Sequence, residues 1–128
     1  LPVYEKYTMD ILVTDINNNP IASALVTLKD TDNNTVFSEY TDANGRITQQ
    51  TVTYREFHDA DLPNTAAHTD TTTINKNPHK LTVTADGYSS FETDFNITNK
   101  IDWQIVLVKP SLTKSKGIKS YIIPRVTR

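Results

Sequence analysis

The chain has 128 residues, of which 37% are hydrophobic and 22% charged, an ordinary balance for one globular domain with a real core. It contains no cysteine, which excludes disulfides and thiolate metal sites. Residues 1–108 carry seven basic and 15 acidic side chains, a formal charge of −8, whereas the last twenty residues carry +6. The acidic body argues against nucleic acid as a partner. No apolar run approaches the roughly 20 residues that span a bilayer, so we predict no direct membrane insertion.

Apolar residues alternate with polar residues in short blocks along the chain. Met9, Ile11 and Val13 form the first such block, with the period of a strand that buries one face. The same alternation recurs at Ala24, Val26 and Leu28; at Leu81, Val83 and Ala85; at Phe91, Phe95 and Ile97; and at Ile101, Trp103, Ile105 and Leu107. The pattern predicts about seven strands, at 7–15, 24–30, 35–41, 46–54, 80–86, 88–97 and 102–108.

Turn signals separate these blocks. They are "NNNP" at 17–20, "DTDNN" at 30–34, "DANG" at 42–45, "ADG" at 85–87 and, more weakly, "TNK" at 98–100. Asparagine tolerates the left-handed backbone that tight turns need, and proline fixes φ. Short strands joined by tight turns predict an all-β fold, an antiparallel two-sheet β-sandwich, with Trp103 in the core or at its rim.

Two segments depart from this spacing. The first is the connection at about 55–78, which is long for a loop without secondary structure, and such loops are usually functional or disordered. The second is the basic segment 109–128, which we interpret as a tail or linker after a sandwich domain at 1–108. Its "SYIIPRV" run at 120–126 is apolar enough for an added edge strand, a position to which Pro124 would confine it.

Three stretches resemble carboxypeptidase-regulatory-like domains. They are "ILVTDINNNPIASALVTLKD" at 11–30, "YTDANGRI" at 40–47 and "NPHKLTVTADGYSSFETDF" at 77–95. One departure is Asn18, which stands where the family usually has glycine. The resemblance implies a transthyretin-like (prealbumin-like) or immunoglobulin-like sandwich, of the kind attached to archaeal and bacterial surface proteins as a spacer, stabiliser or binding module. It brings no catalytic residues.

Histidines and carboxylates collect in the long connection and form the candidate site. They are His58, Asp59, Asp61, His68, Asp70 and His79. Zinc takes three or four such ligands in tetrahedral array, but no His-x-x-x-His or His-x-His spacing sets two of them on one face. We therefore assign these residues to a contact loop, with zinc as the alternative.

Structural calcium and catalysis are weaker alternatives. "DTDNN" and "DANG" offer oxygen ligands on turns, yet position twelve counted from Asp42 is Thr53 instead of the glutamate of a calcium loop. The alternative to calcium binding is a structural role, in which each aspartate accepts hydrogen bonds from the backbone of its own turn. No Gly-x-Ser-x-Gly motif, cysteine or glycine-rich phosphate loop is present, so we predict no enzyme activity and no cofactor.

The sequence therefore predicts a non-catalytic accessory module of a larger exported or cell-surface protein. We expect it to act as a spacer or as a platform for contact with other domains of the same polypeptide, with protein or with glycan. Two glycosylation sequons, at 33–35 and 96–98, favour export. The alternative function is a ligand-binding module that takes a carbohydrate or a metal with the 55–79 loop.

Overall fold

The computed structural model describes residues 2–58 and 72–125. Within them lie nine strands and one short helix: β1 (Val3–Thr14), β2 (Leu25–Lys29), β3 (Thr35–Tyr40), β4 (Gln50–His58), β5 (Thr72–Asn75), β6 (His79–Thr84), β7 (Phe91–Phe95), β8 (Ile101–Val106), α1 (Pro110–Lys116) and β9 (Tyr121–Pro124). No helix in this described part of the chain has the length and apolar character needed to cross a membrane.

The strands form two sheets. One sheet has five strands in the order β5-β4-β1-β8-β9, and the other has four in the order β3-β2-β6-β7. All ladders between named strands are antiparallel except that of β1 with β8, which is parallel from Met9↔Ile101 to Thr14↔Val106. The prediction of an all-β two-sheet sandwich is confirmed.

The core lies between the sheets and is made by the alternating residues. Met9, Ile11 and Val13 of β1 are buried, as are Val26 and Leu28 of β2. From the other predicted blocks, the buried side chains are Ala24, Leu81, Val83, Phe91, Ile97, Ile101, Ile105 and Leu107. Ala85, Phe95 and Trp103 are partly buried against this core. The single tryptophan thus sits at the core's rim, with its ring 4.7 Å from that of Phe95.

Three of the turns share one hydrogen-bonding pattern. In each, an aspartate (Asp15, Asp30 or Asp42) uses its Oδ1 to accept the backbone N–H groups two and four residues later, at 2.8–3.0 Å. The third residue after the aspartate is left-handed, with φ of 68° at Asn18, 66° at Asn33 and 74° at Gly45. The carboxylate thus satisfies turn amides that the strands cannot pair, which is why "DINNN", "DTDNN" and "DANGR" each end a strand.

The prediction of a long loop at about 55–78 is wrong at both ends, where the structure has strands. β4 continues to His58, and β5 occupies Thr72–Asn75, where it pairs with residues 55–58 of β4. The β-branched run "TTI" suits an edge strand, but four residues are too few to show a period. Residues 59–71 lie outside the described part of the chain.

The basic segment after Val108 contains two elements. α1 begins with Pro110 at its first turn and ends at Gly117, which is left-handed with φ of 67°. The sequence did not predict this helix, because its seven residues include no buried one and so leave no apolar period. β9 follows and pairs with β8 at the edge of the five-stranded sheet, with Pro124 opposite Trp103.

Candidate functional site

The strand β1 extends beyond its partner β8. β8 joins the ladder only at Met9, whereas residues 3–8 of β1 pair with β4 alone among the described strands. Tyr7 and Tyr54 on this part of the sheet are partly buried against the edge of the sandwich core. The extension therefore offers a sheet surface of its own.

A β-bulge concentrates side chains on one face of the extension. Glu5 pairs with Arg55 and Lys6 with Thr53, so Tyr54 is an extra residue on β4. Successive side chains of a regular strand point to opposite faces, and the bulge breaks this alternation. Tyr54 and Arg55 consequently both contact Glu5, which lies on the same face as Tyr7. We refer to Glu5, Tyr7, Tyr54, Arg55 and Phe57 as the aromatic–arginine face.

Stacking and hydrogen bonds hold the aromatic–arginine face in one arrangement. The rings of Tyr7 and Tyr54 stack at 5.1 Å, and the Arg55 guanidinium lies 4.9 Å from the centre of the Phe57 ring. Nε of Arg55 donates to Oε1 of Glu5 at 2.6 Å, and the Tyr54 hydroxyl donates to Oε2 at 3.0 Å. Both carboxylate oxygens are thus engaged, and the side chains are oriented before any partner arrives.

The charges of this face are fixed near neutral pH. Partial burial raises the pKa of Tyr54, and its hydrogen bond to the Glu5 carboxylate raises it further. The hydrogen bond with Glu5 also raises the pKa of Arg55. Tyr54 therefore stays a neutral donor and Arg55 a cation, which suits recognition better than proton transfer.

The opposite face of the extension carries His58. Nε2 of His58 and Nζ of Lys76 each lie 3.6 Å from Oε2 of Glu56, and the His58 ring stands edge-on to Tyr4 at 6.4 Å between centres. These are ion-pair distances instead of hydrogen bonds. The side chains of His58, Lys76 and Glu56 are partly exposed, at 38%, 23% and 19%, and at these distances the pairs add little stability, so this group is a polar rim and not an anchor.

His79 belongs to the other sheet and is 1% exposed. Its Nδ1 lies 2.8 Å from Oδ1 of Asn77, an oxygen that also accepts the N–H of Ile97 at 2.9 Å. Nδ1 therefore carries the proton of the neutral ring, while Nε2 is buried and has no hydrogen-bond partner within residues 2–58 and 72–125. The ring is 6.3 Å from that of Phe95, so we assign His79 a structural role.

Acidification is expected to destabilise the protein through His79. Burial lowers the pKa of His79, an effect that the charge of Asp30 partly offsets. A lowered pKa means that the unfolded chain takes up a proton first, so the stabilising contribution is complete above the unfolded-state pKa of about 6.5. It is lost as the pH falls below that value, until the folded-state pKa is reached.

Urea unfolding between about pH 7.5 and 5.5 measures this effect, whose slope cannot exceed about 1.4 kcal/mol per pH unit for one proton. His79→Leu should be less stable than wild type at pH 7.5 but should lose less stability on acidification. His58 and His68 are common to both proteins and cancel in the difference. Equal slopes would show that His79 is not protonated on unfolding.

The structure separates the candidate residues that it describes. His58 lies on the five-stranded sheet and His79 on the four-stranded one, while Asp59, Asp61, His68 and Asp70 fall outside the described residues. Within residues 2–58 and 72–125, no group of three or more histidine or acidic side chains could hold a metal. In the two turns considered for calcium, Oδ1 of Asp30 and Oδ1 of Asp42 each accept two backbone N–H groups.

Comparisons with known proteins agree with the fold. No protein-family model matches the chain, and no curated protein does. Among solved structures, 3-chlorocatechol 1,2-dioxygenase from Rhodococcus opacus 1CP is similar, with a TM-score of 0.52 and 14% identity over 84% of this chain and 61% of that one. Wild-type catechol 1,2-dioxygenase from Acinetobacter radioresistens gives a TM-score of 0.47 and 16% identity, over 94% of this chain and 50% of that one.

The likeness to the Rhodococcus enzyme shows the β-sandwich fold alone. The chain spans only 61% and 50% of the length of these two structures, and identities of 14% and 16% carry no residue correspondence for a site. The β-sandwich part of the resemblance read from the sequence is therefore supported. Membership of the carboxypeptidase-regulatory-like family in particular stays a prediction.

Proposed function

We propose that this domain is a non-catalytic accessory module of a larger exported or cell-surface protein, and that it contacts another domain of the same polypeptide through the aromatic–arginine face. The observation that carries the proposal is the arrangement around Glu5. One carboxylate orients both a tyrosine and an arginine on a face that remains accessible, with 42% of the Arg55 side chain and 33% of the Glu5 side chain exposed.

The composition of this face suits a protein partner. Tyrosine and arginine are enriched among the residues that dominate binding energy at protein interfaces. Side chains that are already ordered lose less entropy on association, which favours affinity. As a device for stability alone, the exposed ion pair would contribute little. The face thus has more to offer in recognition than in folding.

The non-catalytic character of the module is supported by the chemical state of its polar groups. Tyr54 and Arg55 are held in their protonated forms, His79 is buried with one nitrogen engaged, and Oδ1 of each turn aspartate caps backbone amides. None of these groups is poised as a base or nucleophile toward an open pocket. Export is supported by the two sequon asparagines, Asn33 and Asn96, which are both exposed.

Hydroxyl-radical footprinting of the parent polypeptide tests the proposal. If the face is covered by a neighbouring domain, Tyr7, Tyr54 and Phe57 should be labelled several-fold less in the parent than in the 128-residue chain. Arg55→Ala should restore their labelling in the parent, while leaving the stability of the module itself nearly unchanged.

Two internal controls accompany this measurement. Tyr40 and Tyr121 are exposed away from the face and should be labelled equally in both samples. Arg46→Ala removes an exposed arginine far from the aromatic–arginine face and should leave the protection intact. Equal labelling of Tyr7 and Tyr54 in the parent and in the isolated chain would refute the proposed contact, as would a gene that encodes this chain alone without an export signal.

A further inference from the structure

A second surface lies on the outer side of the four-stranded sheet. Tyr40, Leu25 and Thr84 stand opposite one another on β3, β2 and β6, which places them in one row. Tyr40 is 69% exposed, the highest value among the large hydrophobic side chains that are described. A single exposed aromatic residue is ordinary on a protein surface, so Tyr40 alone does not indicate a binding site.

The surroundings of Tyr40 are less ordinary. With Ser23, Leu25, Thr84, Ala85 and Asp86 it lines an open hollow of about 310 Å³. Asp86 is exposed and makes no hydrogen bond or ion pair with any residue in the described part of the chain. This sets it apart from Asp15, Asp30 and Asp42, whose carboxylates cap turns. A free carboxylate therefore stands beside an exposed ring.

Ser23, on the other side of the hollow, has an unusual backbone conformation. Its φ of 61° is left-handed, and the two other described non-glycine residues with positive φ are both asparagine, which tolerates that region. A serine held there costs free energy, and such strain persists only where neighbours enforce it. The strain at Ser23 shows that this side of the hollow has a fixed backbone conformation.

Thr41 is the neighbour that enforces the conformation. Its carbonyl accepts the N–H of Ser23 at 3.0 Å, and its buried hydroxyl accepts the N–H of Ala24 at 2.9 Å while donating to the carbonyl of Ile21 at 2.6 Å. Because Thr41 directly follows Tyr40, one buried clamp fixes the backbone on both sides of the hollow. The hollow thus lies where the ends of β2, β3 and β6 meet the turns that carry Ser23 and Asp86, and the Thr41 hydrogen bonds fix the Ser23 side.

We infer that this hollow is a subsite for a neutral sugar ring, with Tyr40 as the stacking platform and Asp86, Ser23 and Thr84 as partners for the ring hydroxyls. A tyrosine ring offers an apolar face, the carboxylate accepts hydrogen bonds, and the two hydroxyl groups both donate and accept. Among the residues that the structure describes, no lysine, arginine or histidine lines the hollow, which disfavours an anionic ligand. The volume lies near the lower limit of the about 300–1,000 Å³ typical of small-molecule sites, which suits a single ring.

A cationic ligand fits less well. Recognition of quaternary ammonium groups uses cages of several aromatic rings, whereas a single ring, that of Tyr40, lines this hollow among the described residues. The next row of the same face continues in hydroxyl groups, with Oγ1 of Thr27 3.1 Å from Oγ of Ser38. These hydroxyl groups beside the Tyr40 ring favour a longer glycan that lies across the sheet. This surface is on the other sheet from the aromatic–arginine face and does not depend on the proposed contact there.

Titration of the complete 128-residue chain, followed through its backbone amide NMR signals, tests the inference. The probes are cellotetraose, chitotetraose, mannotetraose and galactotetraose, with tetramethylammonium chloride and sodium phosphate as comparison ligands. At least one oligosaccharide should shift the amides of Ser23, Leu25, Tyr40, Thr84 and Asp86, with a dissociation constant of about 1 mM or weaker, as expected for one open subsite. Neither comparison ligand should shift them.

Variants assign the effect to the ring and the carboxylate. Tyr40→Ala should weaken binding by at least about tenfold, equivalent to about 1.4 kcal/mol. Tyr40→Phe should retain most of the affinity, and Asp86→Asn should weaken it. Tyr121→Ala, which removes a tyrosine that is 42% exposed on the other sheet, should bind like wild type. The inference is overturned if no oligosaccharide shifts these amides, if tetramethylammonium or phosphate does so instead, or if Tyr40→Ala binds as wild type does.

Discussion

Replacement of Gly45 by alanine is expected to lower the free energy of unfolding by about 3 kcal/mol or more. Two causes add together. The φ of 74° disfavours any residue with a Cβ. An added Cβ would also clash with the carbonyl oxygen of Val13, and it would lie 3.0 Å from Cβ and 3.2 Å from Cα of Pro20. The obstacles are mainly backbone, and the Gly45 carbonyl accepts the N–H of Val13 at 2.7 Å, so the turn cannot move away without breaking its tie to β1.

Two other glycines supply matched controls for this prediction. Gly87 and Gly117 have φ of 83° and 67°, yet a Cβ added to either would meet no atom of the described residues within 4 Å. Gly87→Ala and Gly117→Ala should therefore cost only the conformational part, about 1 kcal/mol. Gly45→Asn separates the contacts of the added Cβ from the conformational cost, because asparagine tolerates the left-handed conformation at the equivalent turn positions, Asn18 and Asn33. Chemical denaturation that found Gly45→Ala no worse than Gly87→Ala would show that the turn yields freely.

Periodicity and turn chemistry were enough to predict the sandwich. The alternation at Met9, Ile11 and Val13, and at Val26 and Leu28, marks buried faces because strand geometry maps every second residue to one side. The turns were predictable because an aspartate followed by asparagine or glycine carries both the cap and the left-handed residue within five positions. These signals are local, and each can be seen without knowledge of the partner strand.

The aromatic–arginine face could not be predicted in this way. The sequence Tyr54-Arg55 places the two side chains on opposite faces of a regular strand, and only the bulge opposite Glu5 and Lys6 brings both toward Glu5. That bulge depends on the register with a strand about fifty residues away. For the same reason, the sequence does not show that His58 and His79, which lie near each other along the chain, belong to different sheets.

The surface around Tyr40 depends on distant pairing as well. Tyr40, Leu25 and Thr84 meet only when β2 lies between β3 and β6. The usable signal in the sequence was weak: a tyrosine at the outward position at the end of a strand, where an alternating pattern expects a polar residue. Rows across a sheet are set by register, and register is a property of the whole fold.

Substitution of Asn77 by leucine is expected to lower the free energy of unfolding by about 3 kcal/mol. The carboxamide of Asn77 works as an extra rung of the β6–β7 ladder, whose last backbone pair is His79↔Phe95. Continued in register, the ladder would pair Pro78 with Asn96 and then Asn77 with Ile97, but Pro78 offers no N–H. The side chain of Asn77 accepts the N–H of Ile97 at 2.9 Å and donates to its carbonyl at 3.0 Å. Leucine has similar volume but leaves both backbone groups of a buried residue without these partners.

His79 makes the loss at Asn77 cooperative. The same Oδ1 of Asn77 accepts a hydrogen bond from the Nδ1–H of His79, so Asn77→Leu also leaves a buried ring donor unpaired. Once His79→Leu has removed that donor, Asn77→Leu should cost less than it does in wild type, with a coupling energy of about 1 kcal/mol in a double-mutant cycle. Asn99→Leu, at an exposed position nearby, is the control and should change stability by no more than about 0.5 kcal/mol. Strict additivity of Asn77→Leu and His79→Leu would mean that the buried histidine is held by its packing against Phe95 and not by the carboxamide.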